Sequence, residues 1–300
     1  MLDEAAGKEH ADGDAVFLNM RGKLIRLAYR MLGSATDAED IVQEVWIRWS
    51  AAGKPDLDAP LAYFSKIATR ICLDHLRKAS TKREKYVGTW LPEPVVADWS
   101  IQEAEWTDFE SLDISYALMM VLERLTPLER AAYLLHDLFE VPFAQIAETL
   151  ERSPATCRKL ATRARENVEK AEKRHPADEV ELRKLLTVFL NAQQTGDISP
   201  LAQLLSDSVI YFNDGGGKIP AALNPIYGSD KVTRFIQGLA NKFNLLTNAE
   251  IMRTCINGGS ALIVRDHEGN LQTLAFDLND EGQIVTFYSV RNPDKLKMLS

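Results

Sequence analysis

The sequence predicts a multidomain chain: two all-α domains, the second a helix-turn-helix, followed by an α+β domain with a curved antiparallel sheet. Three observations predict it. Apolar residues recur at helical spacing through residues 14–85 and again through 114–175. An acidic, proline-bearing stretch at 86–113 separates those two segments. From residue 176 to 300 the pattern changes to two helices and a series of alternating runs bounded by Asn- and Gly-rich turns. With 46% hydrophobic and 26% charged residues in 300, the chain has material for several buried cores, which excludes a disordered protein.

The elements follow in order. Val16, Phe17, Leu24, Leu27, Ala28 and Met31 form the stripe of a first helix that stops at Gly33. Thr36-x-x-Glu39 reads as a capping box opening a second helix, with Ile41, Val45 and Trp49 on one face and Asp40, Gln43, Glu44 and Arg48 opposite. Pro60 sits near the start of a third helix that runs to about Lys78. Trp90-Leu91-Pro92-Glu93-Pro94 cannot be helix interior, because each proline removes a donor and pushes its predecessor to extended geometry. Thr126-Pro127 reads as an N-cap with proline at the first helical position. Pro142 opens a short helix, and Ser153-Pro154 opens a longer basic one. This pair reads either as a helix-turn-helix or as a plain helical hairpin with a solvated basic face. Ala147 is small where the two would approach, and Ile146, Leu150 and Leu160 supply their core.

Beyond residue 176 we expect helices over about Ala177–Gln194 and from Ser229 to Asn241. Strands are expected at Ser208–Asn213, Ala249–Ile256, Ala261–Asp266, Leu271–Leu278 and Ile284–Val290. The turns between the last four have hairpin compositions, which points to an antiparallel sheet with helices on one side.

The formal charge of −8 hides an uneven distribution. Seven basic residues lie between Lys66 and Lys85, and eight between Arg152 and Arg174, whereas residues 86–113 carry seven acids and no Lys or Arg. Two basic helices flanking an acidic linker form a pattern that the average conceals. The longest apolar run, about Tyr116–Leu122, is too short to cross a membrane, and Asp3, Glu4 and Glu9 stand where a secretory signal would be basic. A cytoplasmic protein is expected. Cys72, Cys157 and Cys255 form no CxxC pair and read as reduced and structural.

Four segments carry a resemblance. Asp37-Ala38-Glu39-Asp40-Ile41-Val42-Gln43-Glu44-Val45-Trp46, Leu73-Asp74-His75-Leu76-Arg77-Lys78, Leu125-Thr126-Pro127-Leu128-Glu129-Arg130 and Arg163-Ala164-Arg165 occur in this order. Residues 1–175 thereby resemble a bacterial sigma factor of the extracytoplasmic-function class. Residues 176–300 resemble a SnoaL-like domain, which one sigma-factor subgroup carries as a C-terminal extension. Three short motifs associated with that subgroup are present: Trp90–Pro94, Asp214–Lys218 and Asn292–Leu296. The chain departs from the family at Arg158-Lys159-Leu160-Ala161, where many members have Lys-Ser-Arg-Leu, and at Thr69-Arg70, where many have Arg-Asn. The promoter sequence therefore does not carry over.

The resemblance implies a transcription initiation factor with core RNA polymerase and promoter DNA as partners. Asp37, Glu39, Asp40, Gln43, Glu44 and Arg48 would face polymerase, with Trp46 and Trp49 divided between core and interface. Lys66, Arg70, Arg77 and Lys78 gather on one broad helical face and would contact the −10 element, with Tyr63 and Phe64 as nearby aromatics. Ser153, Thr156, Arg158, Lys159, Arg163 and Arg165 would serve the −35 element, Arg158 and Lys159 in base-edge or nearby phosphate contact and Arg163 and Arg165 facing phosphate or the protein. Trp90, Pro92, Asp214, Gly215, Gly216, Gly217, Lys218, Asn292, Pro293, Asp294, Lys295 and Leu296 would form regulatory contacts between the extension and the sigma domains or linker.

The glycine loop has other readings. A nucleotide-binding loop would need glycine where Phe212 stands and Ser or Thr where Ile219 stands, and a plain turn needs neither. A small ligand or protein signal acting on the extension is a further expectation. His267, Asp277 and Tyr288 are the groups an enzyme would use there, but no enzyme activity, metal or cofactor is expected. The rival functions are a helix-turn-helix regulator that works without polymerase and an enzyme fused to a DNA-binding region.

Overall fold

The computed structural model describes residues 2–55, 57–83, 86–96, 114–169, 174–195, 197, 199–243, 249–266 and 268–299. His267 lies outside these residues. The chain divides into two units. The helices up to residue 83 and from residue 121 onward to 169 form one; residues 86–96, 114–120 and 174–299 form the other.

The helical unit begins with α1 (Leu2–Leu32), α2 (Ala35–Ala51) and α3 (Pro60–Arg83). Gly33 ends α1 at φ +71, a conformation other residues resist. Helix α2 starts earlier than the Thr36 box suggests: Ser34 is the N-cap, its hydroxyl accepting from the Asp37 N–H at 3.1 Å. Glu39 turns instead to Arg21, at 2.5 Å. Phe17, Trp49 and Phe64 interlock with ring centroids 5.2–6.0 Å apart, so one aromatic from each helix nucleates this core.

Helix α4 (Tyr116–Arg124) leads to α5 (Pro127–Tyr133). Thr126 and Glu129 form the capping box there, each satisfying the other's backbone N–H. A π-helical turn (Leu134–Leu138) follows, then α6 (Phe143–Leu150) and α7 (Pro154–Glu169). Ile146, Ala147, Leu150 and Leu160 are buried between these two, the helix-turn-helix alternative of the sequence. Ser153 caps α7 through the Thr156 N–H, at 3.2 Å.

The second unit contains β1 (His175–Pro176), α8 (Glu179–Thr195), α9 (Ser199–Leu204), β2 (Leu205–Asp214), β3 (Ile226–Tyr227), α10 (Ser229–Phe243), β4 (Glu250–Ile256), β5 (Gly259–Arg265), β6 (Leu271–Leu278) and β7 (Ile284–Val290). The curved sheet runs β3-β2-β7-β6-β5-β4, with β1 pairing β6. All pairs are antiparallel except β2 with β7, which run parallel with Asp214 opposite Val290. Alternation along a strand cannot reveal its direction, so this pairing was outside the reach of the sequence pattern. Its consequence is local: the segments leaving the ends of β2 and β7 emerge side by side.

Each sheet face has its own core. Val209, Tyr211, Leu262, Phe276 and Phe287 pack against Leu182 and Leu185 of α8 and Val232 and Ile236 of α10. The alternate residues Phe212, Ile263, Ala275, Tyr288 and Val290 face the other way. That second face is covered by Leu91 and Val96 of the linker, by Tyr116, and by Leu296 near the C-terminus.

Candidate functional site

Within the helical unit, the expected polymerase face of α2 is open. Asp40, Gln43 and Arg48 are exposed, and Asp37, Glu39 and Glu44 partly so. Arg48 pairs with Glu44 one turn back at 2.8 Å. Trp46 and Ile47 stand 38% and 48% exposed beside these charges, while Trp49 is buried, so the two tryptophans split between surface and core.

The basic face of α3 is partly engaged. Arg77 and Lys78 are exposed, with Arg77 3.0 Å from Asp74. Arg70 instead donates to the carbonyls of Glu148 and Thr149, at 2.9 and 3.3 Å. Those carbonyls end α6, where the helix dipole concentrates negative charge. Lys66 reaches the Glu148 carboxylate at 3.2 Å. Phe64 is fully buried, which places it in the core and away from any base.

On α7, Ser153, Thr156, Arg158 and Lys159 are exposed at or near the N-terminal end. Arg158 lies 5.6 Å over the Phe143 ring. Arg163 and Arg165 turn toward acids of the same unit, Glu129 at 3.0 Å and Asp137 at 2.9 Å. The hydrogen bond that Arg165 donates to Asp137 raises the Arg165 pKa further. Burial pushes Glu129 up, but hydrogen bonds from Thr126 and the charge of Arg163 outweigh it and hold that carboxyl below its usual range.

The three motifs of the second unit meet at one buried carboxylate. Asp214 ends β2 with no solvent exposure, and the Lys295 ammonium sits 2.7 Å from its Oδ2. The Leu91 N–H donates to the same oxygen at 2.9 Å. Tyr86 donates its hydroxyl to Oδ1 at 2.5 Å, and the Gly216 N–H donates there at 3.1 Å. Lys295 also donates to the Leu91 carbonyl and lies 4.1 Å over the Trp90 ring. Pro92 is buried in the same linker stretch. Asn292 donates to the Tyr86 hydroxyl at 2.9 Å, while its Oδ1 caps the 3₁₀ turn Pro293–Lys295 through the Asp294 N–H. Lys218 closes the rim on Asp294 at 2.6 Å. Burial and the neighbouring carboxylate push the Tyr86 pKa well above the ordinary tyrosine value.

The glycines serve close approach. A Cβ on Gly216, at φ +61, would stand 2.4 Å from the Asn292 side chain; one on Gly217, at φ +70, would stand 2.9 Å from Val87. The loop therefore packs closely against Asn292 and Val87. Asp277 and Tyr288 hydrogen-bond each other at 2.7 Å within the core under Tyr116. Among the described residues no group of three or more His, Cys, Asp or Glu could hold a metal ion.

Comparison with known proteins decides the family. The Sigma-70 region 2 family model matches residues 17–82, and the Sigma-70, region 4 model matches residues 115–168. The chain is 36% identical over 294 residues to the ECF RNA polymerase sigma factor SigJ of Mycobacterium tuberculosis, covering 93% of this chain and 91% of that one. The chain belongs to the extracytoplasmic-function RNA polymerase sigma factors. The solved structure of SigJ from the same organism overlays with a TM-score of 0.74 at 33% identity, covering 93% of this sigma factor and 96% of that chain. A probable ECF sigma factor, SigI of M. tuberculosis, is 32% identical over 231 residues, covering 75% of this chain and 76% of its own.

As a sigma factor the protein is a transcription initiation factor and not an enzyme; it works through core RNA polymerase at specific promoters. No helix among its described residues is long and apolar enough to cross a membrane. Sequence reasoning about this sigma factor missed Tyr86 and Val87, which touch the motifs without belonging to one. It also missed Asn257, whose only signal was its place in an Asn-Gly-Gly turn.

Proposed function

We propose that the C-terminal sheet domain restrains this sigma factor by holding its interdomain linker, and that the Asp214–Lys295 pair is the centre of that hold. The supporting observation is the convergence of three sequence-distant motifs on one fully buried carboxylate that hydrogen-bonds linker residues Tyr86 and Leu91. A linker held along 86–96 is not free to extend between the two helical regions that engage promoter elements. Release of the linker raises promoter activity. Small ligands or a protein partner that weaken the node would act as inducing signals.

In this reading the α2 face with Asp37, Glu39, Asp40, Gln43, Glu44 and Arg48 meets polymerase. Lys66, Arg70, Arg77 and Lys78 meet −10 DNA, and Ser153, Thr156, Arg158, Lys159, Arg163 and Arg165 serve the −35 helix. Lys66 and Arg70 must leave the α6 terminus before they can hold phosphates, because one cation cannot satisfy both. Binding of promoter fragments with and without core polymerase separates this from a regulator that works alone: tight specific binding by the isolated protein would favour the regulator. Deleting residues 214–218 or 292–296 should raise promoter-specific transcription by core polymerase, and unchanged output in both deletions would remove the regulatory role.

A further inference from the structure

A second hold on the linker uses none of the three motifs. Asn257 occupies the turn between β4 and β5 at φ +52, a conformation that asparagine and glycine tolerate best. It is 2% exposed. Its Oδ1 accepts the Val95 N–H at 3.0 Å, and its Nδ2 donates to the Ile114 carbonyl at 2.9 Å. Its backbone N–H donates to the Val95 carbonyl at 2.9 Å. Two residues beyond Ile114, Tyr116 stacks on Tyr288 with centroids 4.8 Å apart, and Tyr288 is itself fixed by its bond to Asp277. Releasing these buried groups exchanges their mutual hydrogen bonds for bonds to water.

One amide thus binds chain positions on both sides of the six acids between Asp98 and Asp113. Two hydrogen bonds through a single planar group hold Val95 N and Ile114 O within about 9 Å of each other. Fully extended, the chain between those positions would span roughly 60 Å. We infer that Asn257 is the clasp of an intramolecular strap, whose occupants are this chain's own Val95–Val96 and Ile114–Tyr116, and that promoter engagement requires the clasp to let go. This rests on the reading that the sheet domain restrains the linker, but it assigns the control to a different site.

The test uses the full-length protein with core polymerase and amide hydrogen exchange. Asn257→Gly keeps the turn and removes both side-chain bonds. Asn257→Asp keeps the acceptor for Val95 and loses the donor to Ile114. The Met119 N–H donates to the Ser115 carbonyl at 2.9 Å, one residue beyond Ile114, and so reports on that side of the clasp. In Asn257→Gly, exchange at Val95 and Met119 should quicken at least tenfold and promoter-specific transcription should rise at least threefold. In Asn257→Asp, Met119 should quicken while Val95 stays within threefold of wild type. Tyr116→Leu, which removes the ring stack and leaves Asn257 in place, should raise transcription in the same direction and stands in if either turn variant fails to fold. Unchanged exchange, or faster exchange with unchanged or lower transcription, overturns the clasp. If Asp214→Asn raises transcription while Asn257→Gly and Tyr116→Leu do not, the clasp fails and the restraint stands. If none of the three acts, both fail.

Discussion

Asp214 and Lys295 form a buried pair in which each partner offsets the other's desolvation, so removing one charge strands its partner. Asp214→Asn should therefore lower the stability of the sheet unit by about 3–5 kcal/mol. The denaturation midpoint measures this, and Asp214→Asn combined with Lys295→Met should recover part of the loss. Tyr86 gives a separate, pH-linked signature. Its pKa is raised on folding, first by burial and then by Asp214. The stability it contributes is present below the unfolded tyrosine value near 10 and is lost as pH rises above it. Wild type should lose linker docking above about pH 10, and Tyr86→Phe should show a smaller alkaline loss. Protection of the Leu91 N–H from exchange reports it. Which residues would meet at Asp214 was only partly legible beforehand. The motif residues stood out by their resemblance to a sigma-factor subgroup, whereas Tyr86 and Asn257 are ordinary residue types whose roles come from what folding brings near them.

At the scale of elements, capping and punctuation made most boundaries readable. Thr126-Pro127, Pro142 and Ser153-Pro154 mark helix starts that the structure keeps, because a proline at the first turn gives up a donor the helix could not use. Strands β6 and β7 match their expected limits. The direction of β2 against β7 was hidden, yet that pairing places the 214–218 loop beside the 292–296 turn. The loop tolerates little: Gly217→Ala adds a Cβ against Val87 at positive φ and should cost about 1 kcal/mol or more. Faster Leu91 exchange measures that loss, and unchanged exchange would mean that the Val87 contact does not hold the linker. Helix α7 offers the complementary test on DNA. With polymerase bound, Lys159→Ala should lower the salt dependence of promoter binding by about one unit of slope if Lys159 holds a phosphate. A base-reading role would instead relax sequence preference and leave the slope nearly unchanged.

At the scale of the whole molecule, the net charge of −8 combines exposed basic helices with an acidic linker, so it says little about partners. The helical regions were legible because their motifs are local. The part the linker plays in the sheet domain was not, since Leu91, Val96 and Tyr116 complete a core whose other half lies more than 90 residues away. The central claim is that this hold restrains transcription. Promoter-specific transcription by purified core polymerase tests it most directly, comparing the full-length protein with Asp214→Asn at equal concentration and following Leu91 exchange alongside. A severalfold rise in transcript with faster exchange is the predicted result. Faster exchange with transcript unchanged would contradict it.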